Sequence, residues 1–134
     1  MSPPKLDRVG IVVGDLDATA RIYIDTLGFT QIYRETLAER GVEVLGLSAG
    51  DTTIELIRPL DDASAAARYR GDEPAKLYHL TFTVGDVNAE LERIKSAGVE
   101  PLDSQPRRNA NGGVGIFLHP DSTGDVLIEI SQKV

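Results

Sequence analysis

No cysteine occurs in the 134 residues of the chain, so disulfides, thiolate zinc sites, iron–sulfur clusters and cysteine nucleophiles are excluded at the outset. Any metal would have to be held by histidine, carboxylate or amide groups. Long apolar runs are also missing. None reaches the length of a membrane span, and the opening Met1-Ser2-Pro3-Pro4-Lys5 lacks the apolar core of a secretory signal. Positive charge is scarce, with 14 Lys and Arg against 21 Asp and Glu and a net charge of -7, which repels nucleic-acid backbones and anionic membrane surfaces. Together these absences predict a cytoplasmic protein that takes neither nucleic acid nor membrane as a partner.

What is present suits one domain over residues 1–134, because 41% hydrophobic residues is enough for a real core at this length. A phrase repeats within it: Gly50-Asp51-Thr52-Thr53-Ile54-Glu55-Leu56-Ile57 against Gly124-Asp125-Val126-Leu127-Ile128-Glu129-Ile130-Ser131. That repeat divides the chain into two modules. In module one, about 6–59, the β-branched run 6–13 ends at Gly14-Asp15 and reads as a strand. A helix capped by Asp15 comes next, its stripe formed by Leu16, Ala20, Tyr23, Ile24 and Leu27, with Gly28 as its stop. Strands are expected at 30–36, 42–47 and 52–57, the last ended by Pro59.

Residues 60–75 form a linker in which Asp61-Asp62-Ala63-Ser64 can cap a short alanine-rich helix. Module two, about 76–132, restarts at Tyr78-His79-Leu80 with Gly85-Asp86 as its turn. Its helix carries Val87, Leu91 and Ile94 on one stripe and ends at Gly98. Strands are expected at 99–102, 113–118 and 126–130, with a polar loop over 105–112. The fold class is α+β, two tandem βαβββ modules.

The two modules also share their polar exceptions. Glu129 is a carboxylate inside an apolar strand, and burial without a cation, a metal or a proton would cost it several kcal/mol. Glu55 is its counterpart in module one, while Arg8 and His79 occupy equivalent places on the two opening strands. If the sheets curl into a half-barrel cup with the helices outside, Val9, Ile11, Leu80 and Phe82 face the helices. Arg8, Glu55, His79 and Glu129 then line the cup. His79 alone is better explained as a hydrogen-bonded, partly buried histidine; its pairing with the two glutamates is what points to a site. His119 before Pro120 reads as a turn residue.

At this point the chain resembles the vicinal oxygen chelate superfamily, the glyoxalase, bleomycin-resistance and dioxygenase group, and within it the methylmalonyl-CoA epimerases. The resemblance is carried by Phe117-Leu118-His119-Pro120-Asp121-Ser122-Thr123-Gly124-Asp125-Val126-Leu127-Ile128-Glu129. Asp15-Leu16-Asp17-Ala18, Tyr23 to Gly28, Glu39-Arg40-Gly41-Val42, Ile54 to Leu60 and Tyr78-His79-Leu80 add to it. It implies a glyoxalase-like fold, a homodimer and a divalent cobalt, nickel, zinc or manganese ion. The ligand places fall on Glu55, His79 and Glu129, with the first ligand place on Arg8. A guanidinium has donors only and stays charged, so Arg8 argues against that ion and predicts an ion pair to a glutamate instead. A glutamate that acts as base in some relatives falls on Val44; the adjacent Glu43 points to the opposite face by strand alternation. The loop that reads Arg-Ile-Gly-Ala-His-Gly in many relatives is Arg107-Arg108-Asn109-Ala110-Asn111-Gly112 here, which implies a different substrate preference.

The activity implied is isomerisation by proton exchange alpha to an acyl-CoA thioester, with Glu129, Glu55 and Arg8 as the catalytic groups. Arg107 and Arg108 are the expected contacts to a CoA phosphate. Two other readings share the fold: a metal-free small-molecule binding protein of the drug-sequestering kind, and a glyoxalase-type lyase. An iron dioxygenase is disfavoured, since its facial triad needs two histidines and a carboxylate and Arg8 has removed one histidine.

Overall fold

The computed structural model describes residues 3–133; Met1, Ser2 and Val134, the ends of the predicted domain, lie outside the described residues. Two compact units are present. The first is Arg8–Tyr78; the second combines the described residues before Arg8 with those from His79 onward. The predicted linker therefore belongs to the first unit.

In the first unit the order is β1 (Lys5–Val13, in this unit from Arg8 on), α1 (Leu16–Arg21), β2 (Thr30–Leu37), β3 (Val42–Ala49), β4 (Thr52–Pro59) and α2 (Ala65–Arg70). The strands lie in the order β2-β3-β4-β1, with antiparallel β2–β3 and β3–β4 pairs and a parallel β1–β4 pair. Asp15 caps α1 by accepting the Ala18 N–H at 3.0 Å, as Ser64 caps α2 through the Ala67 N–H at 3.1 Å. One face of the sheet packs Val13, Leu45, Leu47 and Leu56 against Leu16 and Ala20, with Ile11, Tyr23 and Ile24 closing around them. Each leucine so buried contributes roughly 1.5–3 kcal/mol relative to exposure. Leu27 departs from the expected stripe. After Arg21 the helix widens to a π turn over Ile22–Thr26, closed by the Leu27 N–H on the Ile22 carbonyl, and the extra residue swings Leu27 out to 58% exposure.

The second unit repeats the plan with β5 (Ala75–Thr83), α3 (Val87–Ser96), β6 (Arg107–Arg108), β7 (Val114–Leu118) and β8 (Ile128–Gln132), strand order β5-β8-β7-β6. β5 belongs to this unit from His79 on. Again the opening strand runs parallel to the closing one. Asp86 caps α3, and Val87 and Leu91 meet Ile116, Leu118 and Ile130 in the core. Leu80 and Phe82 share the face of Ile128 and Ile130 by register. The fold class is thus α+β, built of two βαβββ modules.

Two boundaries move. Residues 99–102 form no strand, only an isolated bridge from Pro101 to Leu118, because proline cannot donate to a ladder. The strand of that place is β6, inside the expected loop, where Arg107 and Arg108 pair with Gly115 and Val114. The closing strand begins at Ile128 rather than Val126, since Asp125 takes a left-handed φ of 70° and holds the turn open.

Candidate active site

The apolar faces account for the core, and the opposite faces carry the buried polar side chains. In the first unit Gly10, Glu55 and Gly46 lie side by side in register across β1, β4 and β3. Glu55 is thus a carboxylate flanked by two residues without side chains. Tyr33 uses the space over Gly46: a Cβ there would stand 2.4 Å from its ring. The ring crosses the glycine, and its hydroxyl donates to Glu55 Oε2 at 2.6 Å. Arg8, two residues before Gly10 on the same face, brings Nη1 to 3.5 Å from the same oxygen. Arg8 and Glu55 are each 4% exposed. The ion pair expected for Arg8 is therefore made, to Glu55, and it is desolvated.

Burial, the charge of Glu55 and the hydrogen bond all push the Tyr33 phenol far above its ordinary value, while Arg8 pulls the other way. Folded protein thus keeps a proton that the unfolded chain releases above about pH 10. The stability contributed by this phenol is fully present below that pH and declines as pH rises. Tyr33→Phe is expected to cost roughly 1.5–3 kcal/mol at neutral pH, the worth of a hydrogen bond to a charged group, and to flatten the alkaline decline. Denaturant unfolding of both proteins at neutral and alkaline pH checks this. An equal alkaline decline in both would show that another group causes it.

Glu43, next to the place where some relatives carry a base, lies on the helix face with Leu45 and Leu47. Arg34 at 2.8 Å and Arg58 at 3.0 Å hold it there, and the Arg34 hydrogen bond leads in keeping its carboxyl below the usual range. Val44 takes the other face and is buried. Strand alternation had separated the two correctly.

In the second unit Glu129 is 2% exposed and pairs in register with Thr81 on β5. The Thr81 hydroxyl donates to Glu129 Oε1 at 2.8 Å. It also lies 3.3 Å from His79 Nδ1, whose ring meets Phe117 edge-on with centroids 5.3 Å apart. Asn109, 3% exposed, enters from a tight loop closed by its own N–H on the Gly113 carbonyl at 3.0 Å. A Cβ at Gly115 would stand 2.6 Å from Glu129 Oε2 and 2.8 Å from Asn109 Nδ2, which places the amide beside the carboxylate. Both units thus seat a buried carboxylate against a glycine that admits a polar side chain. Tyr33, Thr81 and Asn109 were not singled out from sequence. Glycines inside Val44-Leu45-Gly46-Leu47 and Val114-Gly115-Ile116 were the available signal, since a glycine within a strand often marks a close approach.

Arg107 and Arg108 are exposed on β6, and Arg107 pairs with Asp103 at 3.2 Å. His119 is a turn residue as expected, its Nδ1 accepting the Asp121 N–H at 3.2 Å.

The donor set does not fit a divalent ion. Arg8 supplies no lone pair and holds a positive charge against Glu55, so a cation already stands at the first of the four ligand places. Among the described residues, no three His, Asp or Glu side chains gather as a ligand set.

A family model for the glyoxalase/bleomycin resistance protein/dioxygenase superfamily matches residues 7–117. The chain belongs to that superfamily. Within it, the chain is 35% identical over 130 residues to the ethylmalonyl-CoA/methylmalonyl-CoA epimerase of Cereibacter sphaeroides, covering 96% of this chain and 97% of that one. It is 32% identical to the mitochondrial methylmalonyl-CoA epimerase of Homo sapiens, covering 96% and 73%. Among solved structures, a variant of the Streptomyces coelicolor methylmalonyl-CoA epimerase bound to 2-nitronate-propionyl-CoA superposes with a TM-score of 0.94 at 31% identity, covering 99% of each chain. At Arg8 this superfamily member carries a buried ion pair to Glu55, whose carboxylate also accepts from the Tyr33 hydroxyl.

Proposed function

We propose that the protein is an acyl-CoA epimerase that exchanges the α proton of a 2-methyl-branched or malonyl-type thioester. The observation that carries this reading is Glu129, a buried carboxylate oriented by a hydroxyl donor, in a chain similar over nearly its whole length to epimerases of such thioesters. In the reaction the α C–H bond breaks, its proton passes to Glu129, and the electron pair moves onto the thioester oxygen as an enolate. Inversion requires a proton delivered to the opposite face of the enolate, here by a water that then regains one from Glu129; Glu55, the counterpart carboxylate, is assigned as the base toward the opposite epimer. Arg8 supplies positive charge for the enolate. Arg107 and Arg108 are assigned to the CoA phosphates. The acidic balance and the resemblance support a cytoplasmic homodimer working on a small molecule rather than on nucleic acid. No helix among the described residues is long and apolar enough to cross a membrane.

Incubation in heavy water with methylmalonyl-CoA, ethylmalonyl-CoA and related thioesters is expected to put deuterium on the α carbon faster than the enzyme-free control. Failure on every thioester would favour the second reading, a metal-free binding protein with the same fold, which the Arg8–Glu55 pair also suits.

A further inference from the structure

Thr81 is fully buried at 0% exposure and lies within hydrogen-bond reach of two ionisable side chains of the second unit, Glu129 and His79. A threonine hydroxyl has one proton to give and lone pairs to receive with. Against an ionised Glu129, that proton must go to the carboxylate, as the 2.8 Å contact to Oε1 places it. The oxygen is then an acceptor toward His79, so the ring nitrogen 3.3 Å away has to carry hydrogen. We infer that Thr81 is a positioning residue for catalysis: it fixes the Glu129 carboxylate and holds neutral His79 as the Nδ1–H tautomer, leaving Nε2 as the acceptor nitrogen.

The local structure explains why one hydroxyl does both. His79 and Thr81 are two apart on β5 and share a face, while parallel pairing sets Thr81 directly beside Glu129. The catalytic part of the inference rests on the epimerase reading; the tautomer does not. Thr81 acts through Glu129 and needs no contact with substrate.

The protein carries its own reference. It has two histidines, and His119 Nδ1 accepts a backbone N–H, so its neutral ring holds hydrogen on Nε2. Nitrogen-15 NMR of the imidazoles above about pH 8, where histidine is ordinarily neutral, is therefore expected to show one ring of each tautomer, with His79 the Nδ1–H form. In Thr81→Val, which keeps the shape and removes the hydroxyl, His79 is expected to lose that form. The rate of α-proton exchange at saturation should fall about 10- to 100-fold with KM within about twofold, since a misplaced group costs turnover more than affinity. Thr81→Ser should recover to within about threefold of native.

An Nε2–H tautomer for His79 in the native protein would overturn the inference even if the valine variant did not fold. So would native exchange rates in Thr81→Val, or a serine variant no better than valine. Were the native protein to exchange no α proton at all, the epimerase reading would fail, and the NMR result alone would decide for or against the Thr81 coupling.

Discussion

Glu129→Gln is expected to lower α-proton exchange by about 10³-fold or more, within the range that general acid–base catalysis supplies, while leaving the fold intact. Glutamine has nearly the same volume, and its amide oxygen can still accept from Thr81 in a site that is 2% exposed. What it cannot do is take up a proton. The measurement is deuterium incorporation into the thioester in heavy water, with circular dichroism to show that the variant is folded. Retention of exchange within about tenfold of native would place the base elsewhere.

Arg8→Met is expected to destabilise the protein by about 3–5 kcal/mol, the usual result of removing one member of a buried ion pair. The guanidinium and Glu55 are both 4% exposed, with 3.5 Å between Nη1 and Oε2, so the carboxylate left behind would keep its burial and lose its cation. The Tyr33 hydroxyl remains, yet a neutral donor offsets only part of that charge. Adding Glu55→Gln to Arg8→Met should recover most of the loss, because the buried charge then disappears and the amide still accepts from Tyr33. Urea unfolding of the native protein, both single variants and the double variant forms the required cycle. A loss below about 1 kcal/mol for Arg8→Met would mean that the pair behaves as a solvated one.

Much of the fold and the site is legible in the sequence, for reasons that can be named. Period-two alternation puts Glu43 and Val44 on opposite faces without knowledge of neighbours, and the repeated Gly-Asp phrase pairs Glu55 with Glu129 by simple comparison. Arg8 could be matched to a glutamate because its charge has to be compensated once buried. Tyr33 and Asn109 were hidden because each reaches its carboxylate across a neighbouring strand's glycine, a relation set by register between strands rather than by spacing along one. Thr81 was hidden differently. Its face was evident, but its neighbour depended on a parallel pairing that no turn fixes, in a closing strand that starts later than its pattern suggests. The Val99–Leu102 strand failed because a proline at its centre weighed less in the pattern than the apolar residues around it.

The parallel closure of each module also ranks its polar contacts by the length of chain that must be gathered to make them. Tyr33 meets Glu55 across 22 residues through two successive hairpins, whereas Thr81 meets Glu129 across 48. Loop-closure entropy alone makes the second contact costlier by ~0.7 kcal/mol. In the first unit the same logic separates the two partners of a single carboxylate: the hairpins deliver the phenol locally, and the guanidinium arrives only with β1, from the far end of the module. Glu55 therefore has its neutral companion closer along the chain than its counter-charge, so gathering the hairpins alone is enough to give the carboxylate a donor.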